Sequence, residues 1–172
     1  EVLFEIPNRD VVSWNALIAG YAQQGQAEDA LNCFEHMQSD GISPDSVTFT
    51  CILNACGIVK AFDKGKQIHE EIVNKGLLNK HINLGNALVD MYAKCGAFTK
   101  AQEVLDDLPF QDVISWNSMI AAYAQQGKSE NAMHCFDEMQ KNGFSPNAVS
   151  FTCILKACGS IGALEKGKQI HE

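Results

Sequence analysis

The sequence predicts an all-α protein that forms a right-handed superhelical solenoid of antiparallel helix–turn–helix repeats. When the sequence is shifted against itself by 102 residues, residues 1–70 align with 103–172 and 42 of the 70 positions are identical. Internal repetition of this kind is the signature of repeat folds. Apolar residues recur at helical spacing within the repeat, and no segment shows the sustained alternation of a half-buried strand.

The 102-residue period divides into three units of 35, 36 and 31 residues, after which the same order begins again. Residues 1–10 match 103–112, so they are predicted to be the tail of a preceding short unit. The predicted units that follow are 11–45, 46–81, 82–112, 113–147 and the truncated 148–172.

Each unit is predicted to contain two helices. In the first complete unit, Trp14, Leu17, Ile18 and Tyr21 form one apolar stripe, and Gly25 is predicted to end that helix. A second stripe consists of Ala27, Ala30, Leu31, Phe34 and Met37 and is closed by Gly41 and Pro44. Helices this short are marginal alone, so stacking of neighbouring units must bury the stripes and create an extended concave face. Such a face is a binding surface.

Composition limits the classes of function. The chain is 46% hydrophobic and contains no apolar run long enough for a membrane span. Its 13 Lys and Arg are outnumbered by 21 Asp and Glu, for a formal charge of −8. Non-specific nucleic-acid binders gain affinity from many cationic side chains, so phosphate attraction is not the main source of any RNA affinity here. Seven Cys inside apolar helical patterns are predicted to be buried free thiols in a reducing compartment.

The sequence offers little support for an enzyme, a cofactor or a metal site. His69 and Glu71 resemble the start of a deaminase zinc motif, but the required downstream Pro-Cys-x-x-Cys is absent. Gly65 and Lys66 are followed by Gln67, which breaks the phosphate-binding loop pattern. His69 and its counterpart His171 are predicted to be packing or surface residues.

Two repeat families match the helical pattern. Trp14-x-x-Leu17 with Tyr21, Ala30 and Phe34 fits the tetratricopeptide signature, which predicts a peptide-binding solenoid as the alternative function. The unequal unit lengths and the Gly-x-x-Pro-Asp segment at 41–45 favour a different family. The chain resembles the pentatricopeptide-repeat family, in its subclass of alternating P, L and S motifs. The segments that carry the resemblance are VVSWNALIAGYAQQG (11–25, P), SVTFTCILNACG with GKQIHE (46–57 and 65–70, L) and GNALVDMYAKCG (85–96, S).

The resemblance implies a sequence-specific binder of single-stranded RNA that reads one nucleotide per repeat, as part of a plant organellar RNA editing or processing factor. It implies a plastid or mitochondrial location, no cofactor, no catalysis in this segment, and docking of an editing-factor protein at the L motifs. In the family, the fifth and last residues of a motif address the base, and an apolar second residue flanks it. The fifth residues are Asn15, Thr50, Asn86, Asn117 and Thr152. The last residues are Asp45, His81, Asp112 and Asn147. The flanking residues are Val12, Val47, Ile114 and Val149, and the S motif departs from the pattern with Asn83.

Side-chain chemistry supports a nucleotide prediction for several units. Asn carries both an amide donor and a carbonyl acceptor, which suits the Watson–Crick edge of a pyrimidine. An ionised Asp only accepts, so it can take the N3–H of uracil but would face the N3 lone pair of cytosine. The units that end at Asp45 and Asp112 are therefore predicted to prefer U, and the unit that ends at Asn147 is predicted to accept C or U. The family associates Thr152 with a purine, and Thr50 with His81 gives no prediction.

Simpler roles are open for some of these residues. Asp10, Asp45 and Asp112 stand just ahead of a predicted helix and suit N-caps, and Asn is also common near helix N-termini. Trp14 and Trp116 could stack on bases, but their positions on the apolar stripes predict core packing instead.

Overall fold

A computed structural model describes residues 10–160, and within that range it contains nine α-helices and no strand. The segments 1–9 and 161–172, which include most of the predicted tail of a preceding unit (1–10) and the second part of the truncated last unit (148–172), lie outside the described residues. The helices are α1 Val11–Gln23, α2 Ala27–Ser39, α3 Ser46–Val59, α4 Phe62–Asn74, α5 Ile82–Lys94, α6 Phe98–Asp107, α7 Val113–Gln125, α8 Ser129–Lys141 and α9 Ala148–Ser160.

The helices form two layers. The first helix of each pair packs against the first helix of the next pair, so α1, α3, α5, α7 and α9 stack in order. The second helices, α2, α4, α6 and α8, each pack against the first helix before and after them in the chain. This arrangement confirms the predicted all-α repeat solenoid. It also places the N-terminal turns of the stacked first helices next to one another, and these turns carry the predicted site residues.

The turns between paired helices depend on residues that can adopt a left-handed conformation. Gly25, just beyond α1, has φ of 76°, a conformation that costs glycine little because it has no Cβ. Gly96 and Gly127 occupy the equivalent turns after α5 and α7. The turn after α3 differs, because Lys60 occupies the left-handed region with φ of 55°.

The core consists of the predicted apolar stripes. The side chains of Trp14 and Trp116 are 0% and 3% exposed, so both tryptophans are core residues and not stacking platforms. Phe34 of the first unit meets Phe49 of the second edge to face, with ring centroids 6.4 Å apart. Contacts of this kind join neighbouring units, which is why no single hairpin needs a core of its own.

The cysteines follow the sequence prediction only in part. All seven are free thiols, but Cys51, Cys95 and Cys153 are half-buried, so the prediction of seven buried thiols is wrong for these three. These three side chains pack against the core cluster without being enclosed by it. Burial raises the pKa of the enclosed Cys56 thiol to about 11 and that of Cys135 to about 12. Among the described residues, no helix has the length and apolar character needed to cross a bilayer.

Candidate nucleic-acid interface

Three of the four residues predicted to close a unit, Asp45, Asp112 and Asn147, cap the helix that follows. The Asp45 carboxylate accepts hydrogen bonds from the backbone N–H groups of Val47 and Thr48, both at 3.0 Å. Thr48 completes a capping box, because its hydroxyl accepts a hydrogen bond from the Asp45 backbone N–H at 3.1 Å. Asp112 and Asn147 make the same pair of side-chain bonds at the starts of α7 and α9. The caps therefore fix these side chains at the junction between units.

The predicted fifth and last residues of a unit lie side by side in three units. Stacking of the first helices brings each fifth-position Asn beside the cap of the next helix, about 30 residues further along the chain. The three hydrogen bonds are Asn15 Nδ2 to Asp45 Oδ1 at 3.0 Å, Asn86 Nδ2 to Asp112 Oδ2 at 3.0 Å and Asn117 Nδ2 to Asn147 Oδ1 at 3.1 Å. The asparagines make tertiary contacts and are not themselves N-caps.

A third side chain, which the sequence analysis missed, completes each of these clusters. Thr48 donates its hydroxyl hydrogen to Asn15 Oδ1 at 2.5 Å, and Ser150 donates to Asn117 Oδ1 at the same distance. Ser115 donates to Asn86 Oδ1 in the same way. The sequence does carry a signal for these residues. We call a unit with Asn at its fifth position an Asn-type unit, and every described unit that follows an Asn-type unit has a hydroxyl side chain at its third position. After the Thr50 unit this position is Leu84.

The hydroxyls change what the asparagines can offer to a ligand. Asn15, Asn86 and Asn117 are only 7–9% exposed, and in each the carbonyl oxygen accepts from the neighbouring hydroxyl. The expectation that Asn presents both a donor and an acceptor is therefore corrected. One amide hydrogen is directed to the cap residue, and the carbonyl oxygen is directed to a hydroxyl that is itself 0% exposed. The second amide hydrogen is therefore the group that remains to face a ligand.

The electrostatics of the first cluster keep Asp45 ionised. Burial opposes the charge, but hydrogen bonds from the Thr48 backbone, Asn15 and the Val47 backbone outweigh it and lower the pKa of Asp45. These donors are all directed to Oδ1. The Thr48 hydroxyl oxygen also lies 3.0 Å from Oδ1, but its single hydrogen is the one directed to Asn15. The second carboxylate oxygen, Oδ2, carries none of these bonds and can accept a hydrogen bond from a ligand.

The unit between the first two Asn-type units is built differently. Thr50 and His81 lie on the walls of one cavity of about 410 Å³, together with Val47 and Asn83. Thr50 donates its hydroxyl hydrogen to the Ser46 carbonyl oxygen at 2.8 Å, and Thr152 does the same to Ala148 at 2.7 Å. Because that hydrogen is committed to the backbone, the threonine oxygen offers lone pairs to a ligand. His81 precedes α5 without capping it.

Apolar side chains border the same edge of the stacked helices. Val12, Val47, Ile114 and Val149 are 68%, 53%, 58% and 55% exposed. Exposure of branched apolar side chains at a repeated position leaves them able to contact a flat apolar surface. Asn83, which departs from the pattern, is also exposed, and its neighbour Ile82 is 42% exposed and lines the same cavity.

The remaining sequence candidates lie elsewhere. His69 is a packing residue on the second-helix layer, where its Nδ1 lies 3.0 Å from the Tyr92 hydroxyl, and burial lowers its pKa. Burial also raises the pKa of Tyr92 to about 12. His171 lies outside the described residues. Asp10 caps α1 by accepting a hydrogen bond from the Ser13 backbone N–H at 2.8 Å.

Comparison with known proteins agrees with this architecture. A PPR repeat family model matches residues 9–57 and 111–160, and a PPR repeat model matches 47–77 and 86–110. The chloroplastic pentatricopeptide repeat-containing protein CRR2 of Arabidopsis thaliana is 41% identical over 169 residues, which cover 97% of this chain and 26% of that protein. A mitochondrial pentatricopeptide repeat-containing protein of the same plant is 39% identical over 170 residues, or 98% and 27% of the two chains. This chain thus spans about a quarter of the length of these relatives.

Solved structures share the fold. The crystal structure of the pentatricopeptide repeat protein PPR10 from maize superposes with a TM-score of 0.77 at 24% identity, and covers 96% of this chain and 24% of that one. PPR10 in complex with an 18-nt psaJ RNA element gives a TM-score of 0.80 at 17% identity, with 95% and 24% covered. The family models cover most of the chain and decide between the two repeat families that fit the sequence. The chain belongs to the pentatricopeptide-repeat family.

Proposed function

We propose that this chain binds single-stranded RNA in a sequence-specific manner, with one nucleotide addressed by each repeat. The observation that carries the proposal is the hydrogen-bonded cluster that recurs between the fifth residue of a unit and the last residue of the same unit, which caps the first helix of the next unit. Each cluster leaves a small, fixed set of donors and acceptors beside an exposed apolar side chain. Such a set can read one base edge while the apolar side chain packs on the face of the base.

The Asn–Asp clusters support recognition of U. The free amide hydrogen of Asn15 can donate to a pyrimidine carbonyl oxygen, and the ionised Asp45 can accept from the N3–H of uracil. Cytosine has a lone pair at N3, which would face the carboxylate without a hydrogen between them. The Asn86 and Asp112 cluster has the same residue types, but there Asn86 donates to Oδ2 while the backbone N–H groups donate to Oδ1. A second lone pair of Oδ2 is therefore the acceptor proposed for the base, and the first and third complete units are proposed to select U.

The Asn117 and Asn147 cluster supports C, which is narrower than the sequence prediction of C or U. Two backbone N–H groups bind the Asn147 carbonyl oxygen at 3.0 and 3.1 Å, so its orientation is fixed. Its amide nitrogen makes none of the cluster bonds and can donate to N3 of cytosine. Uracil would place its own N3–H against that donor. Proposed along the chain from 5′ to 3′, the units address U, an unassigned base, U and C.

The Thr units support a different preference. Because Thr50 and Thr152 donate to the backbone, each offers an acceptor where the Asn units offer a donor. An acceptor suits the exocyclic amino group of a purine such as adenine, which supports the purine proposed for the unit of Thr152. His81 stands where the other units have Asp or Asn, so the base addressed by Thr50 and His81 is left unassigned.

The wider role proposed is that of an RNA-binding segment of a plant organellar editing or processing factor. Relatives named chloroplastic and mitochondrial support the organellar location. The P, L and S motif order, from residue 11 to 172, is part of this proposal. We also propose that an editing-factor protein docks on the L-type units. The segment itself is proposed to bind and not to catalyse, and no cofactor or metal is assigned to it.

Direct binding tests the proposal. Fluorescence anisotropy should show the chain binding a short single-stranded RNA that contains U-A-U-C, in which A merely fills the unassigned second position, more tightly than a permuted RNA of the same composition. The base-paired form of that RNA should bind poorly, because pairing hides the base edges. Equal affinity for the matched and permuted strands would contradict base recognition. Capture of a peptide with no RNA binding would favour a protein-interaction solenoid instead.

A further inference from the structure

The hydroxyl side chains at the third position of a unit have no role in the function proposed above. Thr48, Ser115 and Ser150 are 0% exposed, so none of them can touch a base that lies on the surface. Each nevertheless contacts the fifth-position Asn of the preceding unit through that residue's carbonyl oxygen. These residues are therefore candidates for an indirect role in base selection.

The carbonyl oxygen of each Asn needs this partner. Asn15 is 9% exposed, and its amide nitrogen must face the ionised Asp45, because a carbonyl oxygen would be repelled there. Its carbonyl oxygen is then left to the fully buried Thr48 hydroxyl, which donates to it at 2.5 Å. Without that hydroxyl the oxygen would be buried and unpaired, which is unfavourable enough to drive the side chain out of this position.

The Thr50 unit, which has no Asn at its fifth position, is also followed by a unit with no hydroxyl at its third position. Leu84, at the third position after the Thr50 unit, is fully buried and apolar. Thr50 does not need a donor from the next unit, since it satisfies its hydroxyl hydrogen on the Ser46 carbonyl oxygen in its own helix. The third residue of a unit thus corresponds to the fifth residue of the unit before it. It is a hydroxyl donor after a unit with Asn, and an apolar residue after the unit with Thr50.

We propose that the third residue of the following unit is a positioning residue for base selection, in addition to the fifth and last residues. Its buried hydroxyl holds the Asn carbonyl oxygen on the protein side, so the Asn presents its amide donor to the base. This inference rests on the proposed recognition of RNA bases by the Asn clusters. Under this proposal, three side chains discriminate between pyrimidines and purines at one nucleotide. They are the fifth and last residues of one unit and the third residue of the next.

The consequence for specificity is a reversal of hydrogen-bond polarity. With the hydroxyl present, the Asn unit offers a donor and suits a pyrimidine carbonyl. With the hydroxyl absent, the carbonyl of Asn15 becomes available, and rotation of the side chain toward the groove would present an acceptor to amino groups of adenine or cytosine. Loss of the hydroxyl should therefore weaken selectivity at that nucleotide more than it weakens binding overall.

The test compares Thr48→Val, which removes the hydroxyl but keeps the shape, with Thr48→Ser, which keeps the hydroxyl. Anisotropy titrations use RNAs that differ only at the nucleotide addressed by Asn15. The parent and Thr48→Ser should prefer U, and Thr48→Val should lose about fivefold or more of the preference for U over A. Selectivity at the nucleotide addressed by Asn86 should stay unchanged in all three proteins. An unchanged preference in a folded Thr48→Val protein would overturn the inference.

A second measurement works without RNA and separates this inference from the proposed function. In the parent and Thr48→Ser, the side-chain amide protons of Asn15 should give two distinct NMR resonances that exchange slowly with solvent. In Thr48→Val they should shift toward random-coil positions and exchange faster. Retained protection would contradict the positioning role even if RNA binds. If the parent shows no base preference while the amide effect is present, the positioning role stands and the proposed base recognition fails.

Because Thr48 also belongs to a capping box, Thr48→Val could unfold the N-terminus of α3. Ser115→Ala is the second variant for that case. It removes the hydroxyl beside Asn86, where the Asp112 cap has its own two backbone donors. The same loss of preference for U and the same change in the amide resonances are expected, now at the Asn86 unit. Absence of both effects in folded Ser115→Ala protein would overturn the inference.

Discussion

A reciprocal exchange of the cap residues Asp45 and Asn147 should exchange the bases that their units select. The perturbation is Asp45→Asn in one variant, Asn147→Asp in a second, and both changes in a third. Each new side chain already exists at the equivalent position of the other 35-residue unit, 102 residues away. The first variant is expected to shift from U to C at its nucleotide, and the second from C to U.

The structure sets the size of the effect. In Asp45→Asn the carbonyl oxygen can keep the bonds that Asp45 Oδ1 accepts from Val47, Thr48 and Asn15, as it does at Asn147. Asp and Asn are similarly good N-caps, so the free energy of unfolding should change by less than about 1 kcal/mol. With uracil bound, the amide N–H of the new Asn would face the N3–H of the base, so that two donors would meet without an acceptor. An unpaired donor there costs about 1–3 kcal/mol, or about fivefold to 150-fold in the ratio of affinities for U and C.

The assay is a set of anisotropy titrations with RNAs that carry U, C, A or G at one position and are otherwise identical. Glu28→Gln, an exposed residue on α2, removes the same charge away from the interface and serves as the control. It should leave every ratio unchanged. If Asp45→Asn keeps its preference for U while folded, or loses affinity equally for all four RNAs, Asp45 acts only as a helix cap and the base-reading argument fails.

Three further predictions concern stability and ionic conditions. Lys60→Gly should raise the free energy of unfolding by about 0.5–1 kcal/mol in urea titrations, because Lys60 holds a left-handed conformation that glycine adopts without its Cβ penalty. Glycine already occupies the equivalent position of the second copy, as Gly162. A lower free energy of unfolding for Lys60→Gly than for the parent would contradict the strain assigned to Lys60. Hydrogen bonds lower the pKa of Asp45, so its carboxylate stabilises the fold above the ordinary carboxyl pKa and this contribution is lost as the pH falls through the lowered value. Asp45→Asn should therefore show a smaller fall in Tm than the parent below about pH 4, and parallel Tm curves would refute this. Finally, the −8 charge predicts that RNA affinity depends weakly on salt, with a log–log slope well short of about −0.7 per nucleotide contacted. A slope near that value would show that phosphate contacts dominate.

Much of the fold could be predicted because its signals are local and repeated. The spacing of Trp14, Leu17 and Ile18 defines an amphipathic helix, and Gly25 marks its end. The identity of the two copies then fixes the number of helices without any knowledge of contacts. The half-buried Cys51 was harder to predict, since the apolar pattern shows that it belongs near the core but not how fully its neighbours cover it.

Less of the candidate site than of the fold could be predicted from the sequence. Sequence identified Asn15 and Asp45 as partners only through resemblance, because they are separated by 30 residues and nothing local connects them. It also assigned Asn both a donor and an acceptor, whereas the structure commits the acceptor to Thr48. The hydroxyl at position 48 is unremarkable in its own helix, where it completes a capping box. Its second contact exists only because α1 and α3 stack.

The sequence by itself determined that the chain is a series of helical hairpins, which units repeat, and that Asp10, Asp45 and Asp112 stand just ahead of a helix. Periodicity and capping are properties of a few consecutive residues, so they can be seen without a structure. The tertiary structure alone decided which polar groups remain available at each unit junction. A hydrogen-bond donor or acceptor is free only after its neighbours in space have been counted, and here those neighbours come from the next repeat.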